Sequence, residues 1–436
     1  MTGTLTRIRD TGAAPVRTPL RTELRRGIPP WTGAAVTLTL LVTLGAKADQ
    51  WQGGWGETHG LLRSASALLC GPLTAAAACW QGGRERRART AELLSGVPRS
   101  PLRRAVMAAA PVALWAVAGY LVTLAVLLVA NLPYATGRGP SVSLAVSDSC
   151  FLVSIALIGF VVGRLSPWRL TAPALAICTY VGLGIPSYLA SEFRFLSPGE
   201  QADVQVSVPV WWFAPVTVAW LGGLALAVLL GYGARRRVLA VVPLVVAVAA
   251  GSLIVRTGEK LWRDDPVAAR RICTDGVPQI CVNGHDGPML AQVSDALGGM
   301  LSRLDGVPNA PARYVENGAD PASGDVPLPR LTLGWDVVRN KLVDPRAYAQ
   351  GAASQLMMRD CPSEARRESK EFRRVYRTES AVRMWLVPEG DTGPEDPDVE
   401  KRLARLRTMP DTDRRAWLGR YLASRQSCDP AEVPAL

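Results

Sequence analysis

The chain has 436 residues, 48% of them hydrophobic and 20% charged, with 49 Lys+Arg against 37 Asp+Glu and a net charge of +12. Residues 1–255 hold 22 basic and 10 acidic residues, whereas residues 256–436 hold 27 of each, so the whole excess lies in the apolar part. A nucleic-acid-binding reading of the basic balance is therefore set aside, because the positive charge rims greasy segments and forms no basic domain.

At the N-terminus, Val16, Leu20, Leu24 and Ile28 recur every four residues beside Arg17, Arg21 and Arg25. This spacing predicts an amphipathic helix in residues 1–30, with Thr18 as N-cap and Pro19 in its first turn, ended by Pro29 and Pro30. Such a helix lies in the inner headgroup layer of a bilayer, its arginines on lipid phosphates. A disordered basic tail is the alternative.

A helix needs about 20 mainly apolar residues to cross the hydrocarbon core. Residues 31–255 offer seven such segments, at 31–47, 64–82, 105–131, 143–163, 170–190, 212–232 and 238–255. Asp148 falls near the start of the fourth and is expected at the outer headgroup level. "GARRRV" between the last two predicts a helical hairpin. Charge is otherwise nearly absent from the spans, so no buried ion site is expected. Runs such as "TAAAAC" and "WLGGLALAVLLGYG" predict close helix packing. Trp51, Trp55, Trp80, Trp211 and Trp212 fall near span ends as aromatic-belt residues.

Sidedness follows from the basic residues of the short loops. With a cytoplasmic N-terminus the inner segments hold 18 arginines, and the outer ones only Lys47, Arg63, Arg138 and Arg194. Seven spans then place residues 256–436 outside the cell. The four cysteines of that tail, Cys273, Cys281, Cys361 and Cys428, agree with an oxidising compartment and allow three pairings. Cys273–Cys281, closing "CTDGVPQIC", and Cys361–Cys428 are favoured. Cys70, Cys79, Cys150 and Cys178 lie in or beside spans and need no special role.

Residues 82–106, "GGRERRARTAELLSGVPRSPLRRAV", carry seven arginines around a short core. The positive-inside rule accounts for the arginines but not for Glu92, Leu93 and Leu94, one helical turn broken by Gly96 and Pro98. Exposed leucines on such a loop favour a partner's groove. A basic interfacial helix, a span, an outer loop, a second span and then "RTAELLSGVPRSPLRR" resemble the transmembrane subunits of ABC-2 type exporters over about residues 15–255. The resemblance implies that Glu92, Leu93, Leu94 and Arg99 dock an ABC ATP-binding subunit. It also implies pairing with a second permease copy or paralogue in the cell membrane, with ATP and Mg bound by the partner ATPase. Six spans are usual in that family; the seventh departs from its pattern. No cofactor or catalytic residue is then expected on this chain, and it contains no phosphate-loop motif and no H-E-x-x-H.

In the tail, Leu290, Val293, Leu297, Met300 and Leu304 share a helical face. "LTLGWDVV" and "VRMWLVPE" read as strands. "YAQGAASQLMM", "PDVEKRLARLR" and "DTDRRAWLGRYLAS" read as helices, the last burying Trp417, Leu418, Tyr421 and Leu422. "VNGHDGP" reads as a loop with His285 in a surface turn. The predicted fold is a polytopic α-helical membrane protein of about seven spans. A soluble α+β or mostly helical extracytoplasmic domain follows, at residues 256–436. A receptor or scaffold working without an ATPase is the main alternative, and an enzyme acting on lipid-linked substrate a more distant one.

Overall fold

The computed structural model describes residues 24–25, 27–88, 100–137, 139–188, 191–200, 203–316, 324–359, 370–388 and 396–436. Among the described residues six helices are long and apolar enough to cross a membrane. They are α1 (Ile28–Gly45), α2 (Trp55–Gly82), α4 (Pro101–Asn131), α5 (Val142–Leu165), α7 (Phe213–Gly233) and α8 (Arg237–Leu261). A short helix α3 (Arg84–Arg87) follows α2, and α6 (Thr171–Gly184) is apolar but has only 14 residues. This is the build of a polytopic helical protein. Pro29 and Pro30 open α1, where their missing N–H groups cost nothing. Ser100 opens α4, its hydroxyl accepting from the Arg103 amide, and Ser141 does the same for α5 toward Leu144.

Small residues set the packing, as the sequence predicted. A Cβ on Gly163 would stand 1.9 Å from the Cys79 carbonyl oxygen, one on Gly82 2.2 Å from that of Phe160, and one on Gly159 2.6 Å from that of Ala75. α2 and α5 are thus in backbone contact over their C-terminal parts, residues 75–82 against residues 159–163. α7 and α8 form the expected hairpin around residues 234–237, with Gly223 close to the Pro243 carbonyl.

The second span begins nine residues earlier than the sequence indicated. "WGETHGLLR" is polar by composition, yet Thr58, His59 and Arg63 are buried inside α2 because other helices supply their partners. Asn131, at the end of α4, donates to the Gly54 carbonyl and to the Thr58 hydroxyl and accepts from the Gly53 amide. Trp51 is no belt residue: it is buried, with Nε1 donating to the Leu44 carbonyl. Trp211, by contrast, is exposed.

The C-terminal region has a core of its own, drawn from residues 280–433. Four strands, β3 (Arg271–Cys273), β4 (Gln279–Asn283), β5 (Arg313–Glu316) and β6 (Val326–Leu328), form one sheet in that order. β3 and β4 are antiparallel, while β4–β5 and β5–β6 are parallel. α9 (Leu290–Leu304) makes the β4-to-β5 crossover and buries Val293, Leu297, Met300 and Leu304. α10 (Pro345–Met357), α11 (Lys370–Leu386), α12 (Pro397–Thr408) and α13 (Asp411–Ala423) follow. α13 buries Trp417, Leu418, Tyr421 and Leu422 as read from the sequence. "VRMWLVPE" is not a strand. Residues 382–386 end α11, whose Val375, Thr378, Ala381, Val382 and Leu386 follow helical spacing into the core. In "LTLGWDVV" only Val337–Val338 is strand (β7), paired with β8 (Lys341–Leu342).

The bundle has a capped end and a far end. Beyond α1, Gln52 Oε1 accepts from Arg339 Nε at 2.6 Å; beyond α4, the Tyr134 carbonyl accepts from Asn340 Nδ2 at 2.9 Å. Two further strands, β1 (Ser207–Pro209) ahead of α7 and β2 (Trp262–Asp264) after α8, pair antiparallel at the same end. The arginines of α3, of the α4 start and of residues 235–237 belong to the far end, where Gly233 meets Leu102. From Leu165, at the far end, the chain enters α6 beside Cys79 and Trp80. It then passes through 3₁₀ turns at Ile185–Tyr188 and Glu192–Leu196 and reaches the capped end, where Arg194 pairs with Glu259 at 3.0 Å.

Candidate functional site

Where the C-terminal region seats on the bundle it encloses a chamber of about 100 Å³, lined among others by Trp55, Glu57, His59, His285, Asp286 and Arg330. α2 supplies the first three from its opening turns. Glu57 folds back over Gly54 at the helix start, where a carboxylate meets unpaired amides and the positive end of the helix dipole. The Ser141 amide donates to His59 Nε2 at 3.1 Å, so the neutral imidazole carries its proton on Nδ1, which has no partner among the described residues.

The C-terminal region supplies the opposite wall. His285 is not the surface turn residue expected: it is half-buried, with Nε2 2.8 Å from Asp265 Oδ2 and its ring against Gly137. Gly137 has φ of 95°, and any Cβ there would meet the ring at 2.5 Å, so only glycine allows this approach. Asn283 organises the turn through Oδ1, which accepts from the His285 and Asp286 amides. Behind it Glu316 is buried and accepts from the Asn283 amide at 2.9 Å and the Leu331 amide at 3.1 Å. Burial first, and then the Glu316 charge, push the Asp286 carboxyl well above the usual carboxylate range. Burial raises the Glu316 carboxyl as well. Arg330 grips Asp203 through two bonds, 2.6 and 2.8 Å, and that pairing holds Asp203 below the usual range. The chamber is therefore walled by both halves of the protein, with Glu57, Asp265 and Asp286 in its lining beside His59, His285 and Arg330. A cavity of about 220 Å³ adjoins it, sharing Glu57, Leu144 and Val204 and reaching Arg63.

Beneath these cavities lies a buried ion pair. Arg63 Nη1 stands 3.1 Å from Asp148 Oδ1, with side-chain exposures of 9% and 3%. Asp148 Oδ2 accepts from the Tyr120 hydroxyl at 3.0 Å, and the Arg63 guanidinium lies 5.2 Å above the Phe213 ring. One node thus joins α2, α4, α5 and α7. The expectations of Arg63 in a loop and of no buried ion site are corrected by this pairing: Arg63 lies inside α2, and Asp148 is buried against it. The signal was in the sequence: an ionisable residue inside an apolar helix implies a partner, and an opposite charge lay beside the start of another span.

Of the predicted docking residues, Glu92, Leu93, Leu94 and Arg99 lie outside the described residues. Their flanks are described. Glu85 pairs with Arg164 of α5, Arg86 donates to the Gly163 and Arg164 carbonyls, and Arg87 donates to that of Trp80. The helix carrying the loop is therefore fastened to the ends of α2 and α5. In the predicted interfacial helix, Arg17, Leu20 and Arg21 also lie outside the described residues. Leu24 and Arg25 are helical, and the Leu24 carbonyl accepts from Trp115 Nε1 at 2.8 Å. Cys273 and Cys281 form the expected disulfide across β3 and β4. Cys428 is disulfide-bonded, and Cys361 lies outside the described residues. Cys70, Cys79, Cys150 and Cys178 are free. Among the described residues no group of three or more His, Cys, Asp or Glu is placed to hold a metal ion. No family model, curated protein or solved structure matches the chain.

Proposed function

We propose that this chain is the transmembrane subunit of an ABC-type exporter, seated in the cell membrane and driven by a separate ATPase. Its far end faces the cytoplasm and its C-terminal region lies outside. The arginine-weighted loops collect at the far end, and the Cys273–Cys281 disulfide suits an oxidising exterior. Seven crossings follow if α6 and the 3₁₀ turn after it cross together. At 1.5 and 2.0 Å per residue, Thr171 to Tyr188 covers about 29 Å.

One observation carries the reading. The two helices fastened to the base of the docking loop, α2 and α5, are the same two whose other ends wall the chamber, through Glu57, His59 and Leu144. They are roughly 42 and 36 Å long and in backbone contact. ATP-driven movement of the loop around Leu93 and Leu94 would therefore reach the chamber without passing through flexible chain. The ATPase supplies ATP and Mg, a second permease copy or paralogue completes the pore, and this chain does mechanical work without catalysing a reaction.

The test is Leu93→Asp with Leu94→Asp in the full chain. The expected result is loss of the co-purifying ATPase while a reporter after Leu436 still shows insertion; retained ATPase refutes the docking role. A reporter active only in the cytoplasm refutes the layout. The chamber's closure by the C-terminal region favours a second reading, a receptor or scaffold holding an envelope ligand there, which requires no ATPase to co-purify with the unaltered chain.

A further inference from the structure

At the far end, a cavity of about 150 Å³ lies between the end of α2, α3, the end of α5 and the start of α6. Arg86, Arg87 and Arg169 line it, together with Ser166 and Thr171, and among the described residues no carboxylate does. Glu85, the neighbouring acid, is taken by Arg164. Arg86 and Arg87 spend one amino group each on carbonyls, and a guanidinium has five N–H donors, so donors remain on both. Arg169 makes no hydrogen bond or ion pair within the described residues. The Arg87 guanidinium lies 4.1 Å above the Trp80 ring; burial, and then the charges of Arg169 and Arg86, pull its pKa below the ordinary arginine value. α6 starts at the cavity, with no acid in its first turn, and adds the positive end of its dipole.

Like charges crowded around a cavity with no counter-charge among the described residues are stabilised by an anion that several can grip at once. We infer that this cavity binds a phosphate group, supplied by the phosphodiester of an anionic lipid headgroup or by free phosphate. Its position favours the lipid. Trp80 and Trp168 flank it with exposed rings where the apolar helices end, the level at which indoles meet lipid headgroups. The inference does not depend on an ATPase partner.

The test uses the full chain in nanodiscs of phosphatidylcholine alone, of phosphatidylcholine with phosphatidylglycerol, and of phosphatidylcholine with added inorganic phosphate. Lipid retained is read by native mass spectrometry and the thermal midpoint by intrinsic fluorescence. Selective retention of phosphatidylglycerol with a raised midpoint identifies the lipid source, and a rise with inorganic phosphate alone identifies the free anion. Arg169→Gln, which breaks no bond within the described residues, is expected to weaken either response about fivefold, and Arg169→Lys to restore most of it. Three results would overturn the inference: no response to either ligand, an undiminished response in Arg169→Gln, or loss of ATPase co-purification in that variant with phosphate and lipid responses intact.

Discussion

Neutralising one partner of the Arg63–Asp148 pair should destabilise the bundle far more than removing both. In Asp148→Asn the amide still accepts from the Tyr120 hydroxyl, but Arg63 keeps a charge in a site where it is 9% exposed. At 3.1 Å and an effective dielectric constant of about 20, the lost attraction is roughly 5 kcal/mol, and losing one member of a buried pair costs about 3–5 kcal/mol net. Arg63→Met alone strands the carboxylate in the same way. The double variant Arg63→Met/Asp148→Asn leaves no buried charge and should lie within about 2 kcal/mol of the unaltered chain, a coupling energy of at least 3 kcal/mol. Equilibrium unfolding in mixed detergent micelles, followed by tryptophan fluorescence, measures all four species. Additive costs, with the double variant as weak as the sum of the singles, would refute the view that the pair is a single pin through α2, α4, α5 and α7.

Asp286 yields a pH dependence. Its folded pKa is raised, so folding favours its protonated form; the stability this contributes is complete below about pH 4 and is lost as pH rises toward the folded pKa. Asp286→Asn should flatten that decline and raise the thermal midpoint at alkaline pH; parallel curves would contradict a raised Asp286 carboxyl. Gly163→Ala forces a Cβ to 1.9 Å from the Cys79 carbonyl and should cost about 1–3 kcal/mol, with a lowered midpoint, unless α2 and α5 are not in backbone contact. Reducing Cys273–Cys281, whose sequence separation is 8, should lower stability by about 2–3 kcal/mol, read as a shifted midpoint with and without reductant.

The apolar helices were legible because lipid and protein alike reward long uncharged runs. The start of α2 was not, because its polar residues take tertiary partners, Asn131 on Thr58, Ser141 on His59 and Asp148 on Arg63. Hydropathy along one segment carries no trace of them. "VRMWLVPE" was misread for a related reason: a short run of bulky apolar residues has no period of its own, and the helical phase is set upstream at Val375 and Thr378. The chamber was the least legible feature, since its walls come from segments as far apart as Glu57 and Arg330.

The two-stranded ladder of β1 and β2 has a consequence for biogenesis. Its strands bracket α7 and α8, with Ser207 opposite Asp264 and Pro209 opposite Trp262, so it acts as a clasp over the α7–α8 hairpin. That clasp cannot close until residue 264 has been made and delivered to the same side as residue 207. A nascent chain arrested at the end of the apolar helices would therefore hold an unlatched hairpin, and the first few residues beyond it complete the assembly of what precedes them.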